Sequence, residues 1–136
     1  MEAFMRTILL VFLTLSTLGC GSYSTPPQMT QPGIVPVVVG IMPASQLHGG
    51  SQFTLTIMGS SFNANAVVNW NTVAQANTTH PTANTLSVTI PAADIANPGN
   101  VQVSVTNPGS STPGGPYGGG SNTPSETSNS VTFTIN

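Results

Sequence analysis

The side chains able to do nucleophilic, acid–base or metal chemistry are few, and their spacing argues against all three. Beyond Cys20 the only carboxylates are Asp94 and Glu126, and the only imidazoles are His48 and His80. Serines are plentiful, so a nucleophile–histidine–acid set is limited by its other two members. His48 lies in Leu47-His48-Gly49-Gly50 and His80 in Thr79-His80-Pro81-Thr82, both turn contexts. Asp94, in Pro91-Ala92-Ala93-Asp94-Ile95, reads as a turn or helix-start residue that satisfies nearby backbone amides. The sequence has no G-x-S-x-G elbow. A hydrolase would need His48 or His80 to meet Asp94 and a serine in space. Hard cations want clustered carboxylates, and zinc wants imidazoles or thiolates in company. The expectation is a protein with no catalytic residues, no metal and no cofactor.

Two aromatic residues could instead serve recognition. Trp70, in Val68-Asn69-Trp70, shares strand parity with Val68 and reads as a core residue. If its face were exposed it would make a platform for stacking a sugar. Tyr117 lies in Pro113–Ser121, PGGPYGGGS, where glycine and proline are dense enough to predict a flexible loop rather than a packed element. That loop is either a connector or a contact surface with Tyr117 as its anchor. Tyr117 and Trp70 are therefore the candidates for partner contact.

Composition narrows the partners. Only 3% of the 136 residues are charged, against about 25% in an ordinary soluble protein, so solubility rests on Ser, Thr, Asn and Gln. The single basic residue is Arg6. With Arg6 in the N-terminal segment and no basic side chain after it, the chain cannot neutralise phosphates, which excludes nucleic-acid binding by the usual electrostatic term. Attraction to anionic lipid headgroups fails for the same reason. The length suits one domain.

The lone cysteine follows an apolar run, Ile8–Leu18 (ILLVFLTLSTL), too short to span a bilayer comfortably and suited to the apolar centre of an export signal. Thr17-Leu18-Gly19-Cys20 resembles the end of a bacterial lipoprotein signal: Gly19 and Cys20 fit, while Thr17 and Leu18 depart from the preferred types. The resemblance implies a signal peptide over 1–19, acylation of Cys20 and a membrane anchor through it. It also implies export to the bacterial cell envelope, at the outer membrane or cell surface; a secreted protein with a free thiol is the alternative. Residues 20–33 (Gly21–Gly33 reads GSYSTPPQMTQPG) lack periodicity and predict a flexible tether.

The elements that would position any site begin after Gly33. Apolar and polar residues alternate in Phe53–Ile57, Val68–Trp70, Leu86–Ile90, Val101–Val105 and Val131–Ile135, and Val35, Val37, Val39 and Ile41 share one parity. Turn clusters at His48, Asn63, Asn97 and Asn107 separate the runs. About seven short strands without a helical period predict an all-β, two-sheet antiparallel sandwich.

At these strands the sequence resembles the IPT/TIG domains, immunoglobulin-like β-sandwiches of the early-set type. The matching pieces are Ile41–Phe62 with its FTLTI strand and G-S-x-F corner, Ala66–Asn71 (AVVNWN), Asn84–Gly109 with IP, PG and V-x-V-x-N-P, and Ser128–Asn136. One departure is Thr72, where the family has Gly after Asn71; another is the long segment before the last strand. The resemblance implies a domain over 34–136 that is a non-catalytic binding or structural module making protein–protein contacts. A glycan-binding accessory module is the runner-up and a hydrolase the third reading. The implied partners are a membrane, through Cys20, and an envelope protein or glycan.

Overall fold

The computed structural model describes residues 27–116 and 118–136. The signal peptide, Cys20, the first part of the tether and Tyr117 lie outside the described residues. The rest forms β1 (Met29–Thr30), β2 (Val37–Met42), β3 (Ser45–Gln46), β4 (Phe53–Ser60), β5 (Val67–Trp70), β6 (Val73–Ala74), β7 (Thr79–Thr82) and β8 (Thr85–Ile90). After a 3₁₀ turn over Ala92–Ile95 come β9 (Gly99–Asn107), β10 (Ser110–Thr112), β11 (Ser121–Thr123), β12 (Glu126–Thr127) and β13 (Val131–Ile135). β2-β4-β8-β7 make one sheet of the sandwich and β3-β13-β9-β5-β6 the other, with β12 extending the pairing along β9, and β1-β11-β10 form a third, three-stranded sheet at one end. The protein is an all-β immunoglobulin-like sandwich.

Alternation places the core as expected in most strands. Leu55, Ile57, Leu86, Val88, Ile90, Val103, Val105 and Phe133 are all buried from both sheets, and their neighbours face outward as hydroxyls and amides. Phe133 stacks on Phe53 with centroids 5.4 Å apart and meets Trp70 at 5.0 Å. Ile95, fully buried, closes the core from the 3₁₀ turn.

In β2 the expected shared parity fails. Pro36, Val38 and Ile41 are buried, while Val35, Val37 and Val39 are exposed. The pairing of β2 with β4 shifts between Val38 and Gly40, so the inward set changes from even to odd positions there. Asn129 holds the strand at this point. Its Oδ1 accepts from Val38 N at 3.0 Å and its Nδ2 donates to Val38 O at 2.9 Å, so one side chain stands in for a neighbouring strand.

Strand direction divides the molecule into two ends. β2, β5, β8 and β13 run opposite to β4 and β9, as their antiparallel registers require. One end collects the segment before β2, the β4–β5 loop, the β7–β8 turn and everything between β9 and β13. The other collects the β3–β4 loop, the β5–β6 turn, the β8–β9 segment and Asn136.

Candidate functional site

At the first end, the segment from Asn107 to Asn129 is not a slack loop. β10 and β11 pair antiparallel from Ser110↔Thr123 to Thr112↔Ser121, making a hairpin whose tip spans residues 113–120. β12 then returns to pair with the end of β9, Glu126↔Asn107 and Thr127↔Thr106. The chain entering the domain also pairs with this hairpin. Met29–Thr30 pairs parallel with Ser121–Asn122, with Met29 N donating to Gly120 O at 3.2 Å and Gln31 N to Asn122 O at 2.9 Å. The two strands approach closely at Gly120: a Cβ there would sit 2.9 Å from the Gln28 amide nitrogen and from Gly114 N.

Asn107 fixes the foot of this hairpin. It is 3% exposed; its Nδ2 donates to Ile34 O and Ser61 O, both at 2.8 Å, and its Oδ1 accepts from Asn63 N at 3.0 Å. The hairpin, the β4–β5 loop and the incoming chain are thereby tied to one amide. Between them lies an open cleft of about 320 Å³, bounded by Ile34, Asn63, Asn65, Pro108, Thr123 and Pro124. Tyr117, the expected anchor of this region, lies outside the described residues.

At the opposite end, Trp70 sits at the close of β5. Its ring is 5% exposed and is taken up by the core, edge-on to Phe53 at 6.5 Å and tilted on Phe133. Trp70 also lines a second, smaller depression of about 260 Å³. The β5–β6 connection beside it is a two-residue turn, since Trp70 pairs with Val73. Asn71 and Thr72 both hold positive φ, 48° and 72°. That is the geometry of a type I′ turn.

The residues singled out for catalysis stay apart. The His48 Nδ1–H donates to Asn136 O at 2.7 Å, and the His80 Nε2–H donates to Ala66 O at 3.1 Å, so each imidazole orients on a main-chain oxygen. Ala66 lies in the β4–β5 loop, and Asn136 at the other end of the sandwich. Asp94 does not cap the 3₁₀ turn that carries it: the residue at the N-cap is Pro91, and no side chain bonds there. Among the described residues no group of three or more His, Cys, Asp or Glu could hold a metal ion. No helix among them is long and apolar enough to cross a membrane.

Sequence reasoning missed the two asparagines that organise the hairpin end. Asn107 ends β9 and Asn129 lies two residues before β13, and both bond to chain distant in sequence. The signal available was positional: an asparagine at or just before a strand boundary, in N-P and S-N.

The class of protein is now defined by two sheets, their order and the sheet change from β2 to β3. The chain belongs to the IPT/TIG domain family, whose family model matches residues 36–135. No curated protein matches the chain at a significant level. The family fold is a binding module rather than a typical catalytic scaffold, in keeping with histidines and carboxylates that do not converge.

Proposed function

We propose that this protein is a non-catalytic module of the bacterial cell envelope, anchored by acyl chains on Cys20 and making protein–protein contacts through its hairpin end. The observation that supports the contact role is the β10–β11 hairpin itself. The segment between β9 and β13 is paired, tied down by Asn107 and joined by the chain arriving from the tether. A segment held in this way presents its tip at lower ordering cost than a slack loop would. The tip carries Pro113, Pro116 and glycines around Tyr117, a combination of rigid ring and adaptable backbone suited to contact. The near absence of charge makes shape, amide and hydroxyl hydrogen bonds and aromatic contact the means of recognition.

The test is replacement of Pro113–Gly120 by Asn-Gly, which closes β10 onto β11 with a two-residue turn. The shortened protein should fold with an unchanged melting temperature. Purified from its native envelope, the parent should retain a protein partner that the shortened form retains at least tenfold less. Equal retention by a folded, shortened protein would refute the hairpin as the contact surface.

A further inference from the structure

The depression beside Trp70 brings together groups from three separate segments. Trp70 and Val101, both buried members of the core, line its base. Val73, 62% exposed, forms an apolar lip. Asn71, in the β5–β6 turn, and Gln75, directly after β6, supply primary amides, and Gln75 Nε2 donates to Val73 O at 3.3 Å, which sets the plane of its amide. Asp94 brings a carboxylate from the β8–β9 segment, exposed and free of any capping role in its own 3₁₀ turn.

The chemistry of this lining is selective. A carboxylate and two amides accept and donate several hydrogen bonds over a short distance, while Trp70, Val73 and Val101 offer apolar surface beside them. A ligand that matches must carry a hydroxyl rim around an apolar C–H face. The carboxylate and the lack of any cation nearby reject phosphates, sulfates and uronic acids. At about 260 Å³ the space lies below that of pockets for drug-sized ligands, so it suits one ring rather than a large molecule. We propose that this depression binds a single neutral sugar residue of a glycan chain, with Asp94 and the amides of Asn71 and Gln75 holding its hydroxyls. The site is at the opposite end from the hairpin and does not depend on the hairpin's role.

Trp70 is the only tryptophan, so the emission has a single source, a ring that lines this depression and packs on Phe53 and Phe133 in the core. The full chain is titrated with the methyl glycosides of glucose, galactose, mannose and N-acetylglucosamine, and with cellobiose, maltose and chitobiose, with glucuronic acid as a charged control. At least one neutral sugar should give a saturable change in emission, with Kd on the order of 1 mM, and glucuronic acid none. Asp94→Asn should weaken that binding by about tenfold or more, because a charge-assisted hydrogen bond is lost. Gln75→Ala should weaken it as well. Asp94 is exposed, so Asp94→Asn should leave the melting temperature unchanged; Gln75 is half-buried, so the Gln75→Ala titration is run well below that variant's own melting temperature. The form with the shortened hairpin should respond to sugar as the parent does, which separates this proposal from the one for the hairpin. A flat titration with every neutral sugar would overturn the assignment. So would binding indifferent to both substitutions, or binding of glucuronic acid as tight as that of the neutral sugars.

Discussion

Thr72→Gly should raise stability, although it removes a side chain. Trp70 and Val73 pair directly, so Asn71 and Thr72 alone reverse the chain, with φ of 48° and 72°. Asn tolerates the left-handed region because its short amide bonds locally. Thr does not, because a β-branched side chain there crowds the backbone. A non-glycine residue in this region costs about 1–2 kcal/mol. Glycine escapes that cost but gives back about 0.4–1 kcal/mol through the greater freedom of its unfolded chain. The difference is a net gain of about 0.5–1 kcal/mol. For a domain of this size each kcal/mol moves the melting temperature by roughly 4–8 °C, so Thr72→Gly should melt about 2–8 °C higher. Thermal unfolding followed by Trp70 emission and by calorimetry would measure it, Trp70 being the residue next to the turn. Thr72→Ala, which keeps a Cβ, should recover only part of the gain. A melting temperature that falls in Thr72→Gly, or an Ala variant more stable than the Gly variant, would refute the assignment of strain to this position.

Phe133→Ala empties the centre of the aromatic trio with Phe53 and Trp70, and should cost about 3–5 kcal/mol, read from denaturant unfolding together with a red shift of Trp70 emission. Asn129→Ala removes both hydrogen bonds to Val38 and leaves that N–H and C=O without a partner, at a cost of about 1–3 kcal/mol. It also uncovers the edge of β2, so concentration-dependent self-association in sedimentation should accompany the loss. Cys20→Ser should release the protein from the membrane fraction or leave its precursor uncleaved, and mass spectrometry of the N-terminal peptide of the parent should show the acyl chains.

The strands legible in the sequence are those whose burial is one-sided. Leu86, Val88 and Ile90 alternate with hydroxyl residues because β8 has one face on the core and one in water. β2 offered no such contrast: the run from Ile34 to Met42 is apolar nearly throughout, so its parity is set by the shift at Val38. That shift depends on Asn129, 91 residues away in sequence. β1, β10, β11 and β12 are two or three residues long, and β1 and β10 are wholly exposed, so they exist only through their pairing partners. Glycine and proline density in the hairpin tip marked flexibility and hid the pairing on either side of it. At the candidate sites, Trp70 was legible as core from its parity with Val68. The depression beside it was not, because Asp94 reaches Trp70 only when the β8–β9 segment folds across the end of the sandwich.

The two ends bear on the proposed function differently once the tether is considered. With Cys20 acylated, Gln28 follows the anchor by eight residues, and at about 3.3–3.6 Å per residue it stays within about 29 Å of the bilayer. Gln28 lies against Gly120 of the hairpin, so the hairpin end is the one held near the membrane. On the proposed function, its partner would be another envelope protein standing at the same height. β9, nine residues long, carries the chain about 30 Å toward the opposite end, so on the proposed anchoring the sugar-sized depression would lie at the end farther from the membrane. Height above the membrane should therefore matter to one activity and not to the other. Inserting a long Gly-Ser segment between Cys20 and Gln28 lowers the effective concentration of the hairpin at a partner held in the same membrane. It leaves the depression and its neighbours unchanged. The lengthened protein should lose retention of its envelope partner in proportion to the insert, while its Trp70 response to sugar stays that of the parent. Loss of both together would mean that the two ends act as one site, and retention of both would mean that the hairpin's partner is not confined to the membrane that holds Cys20.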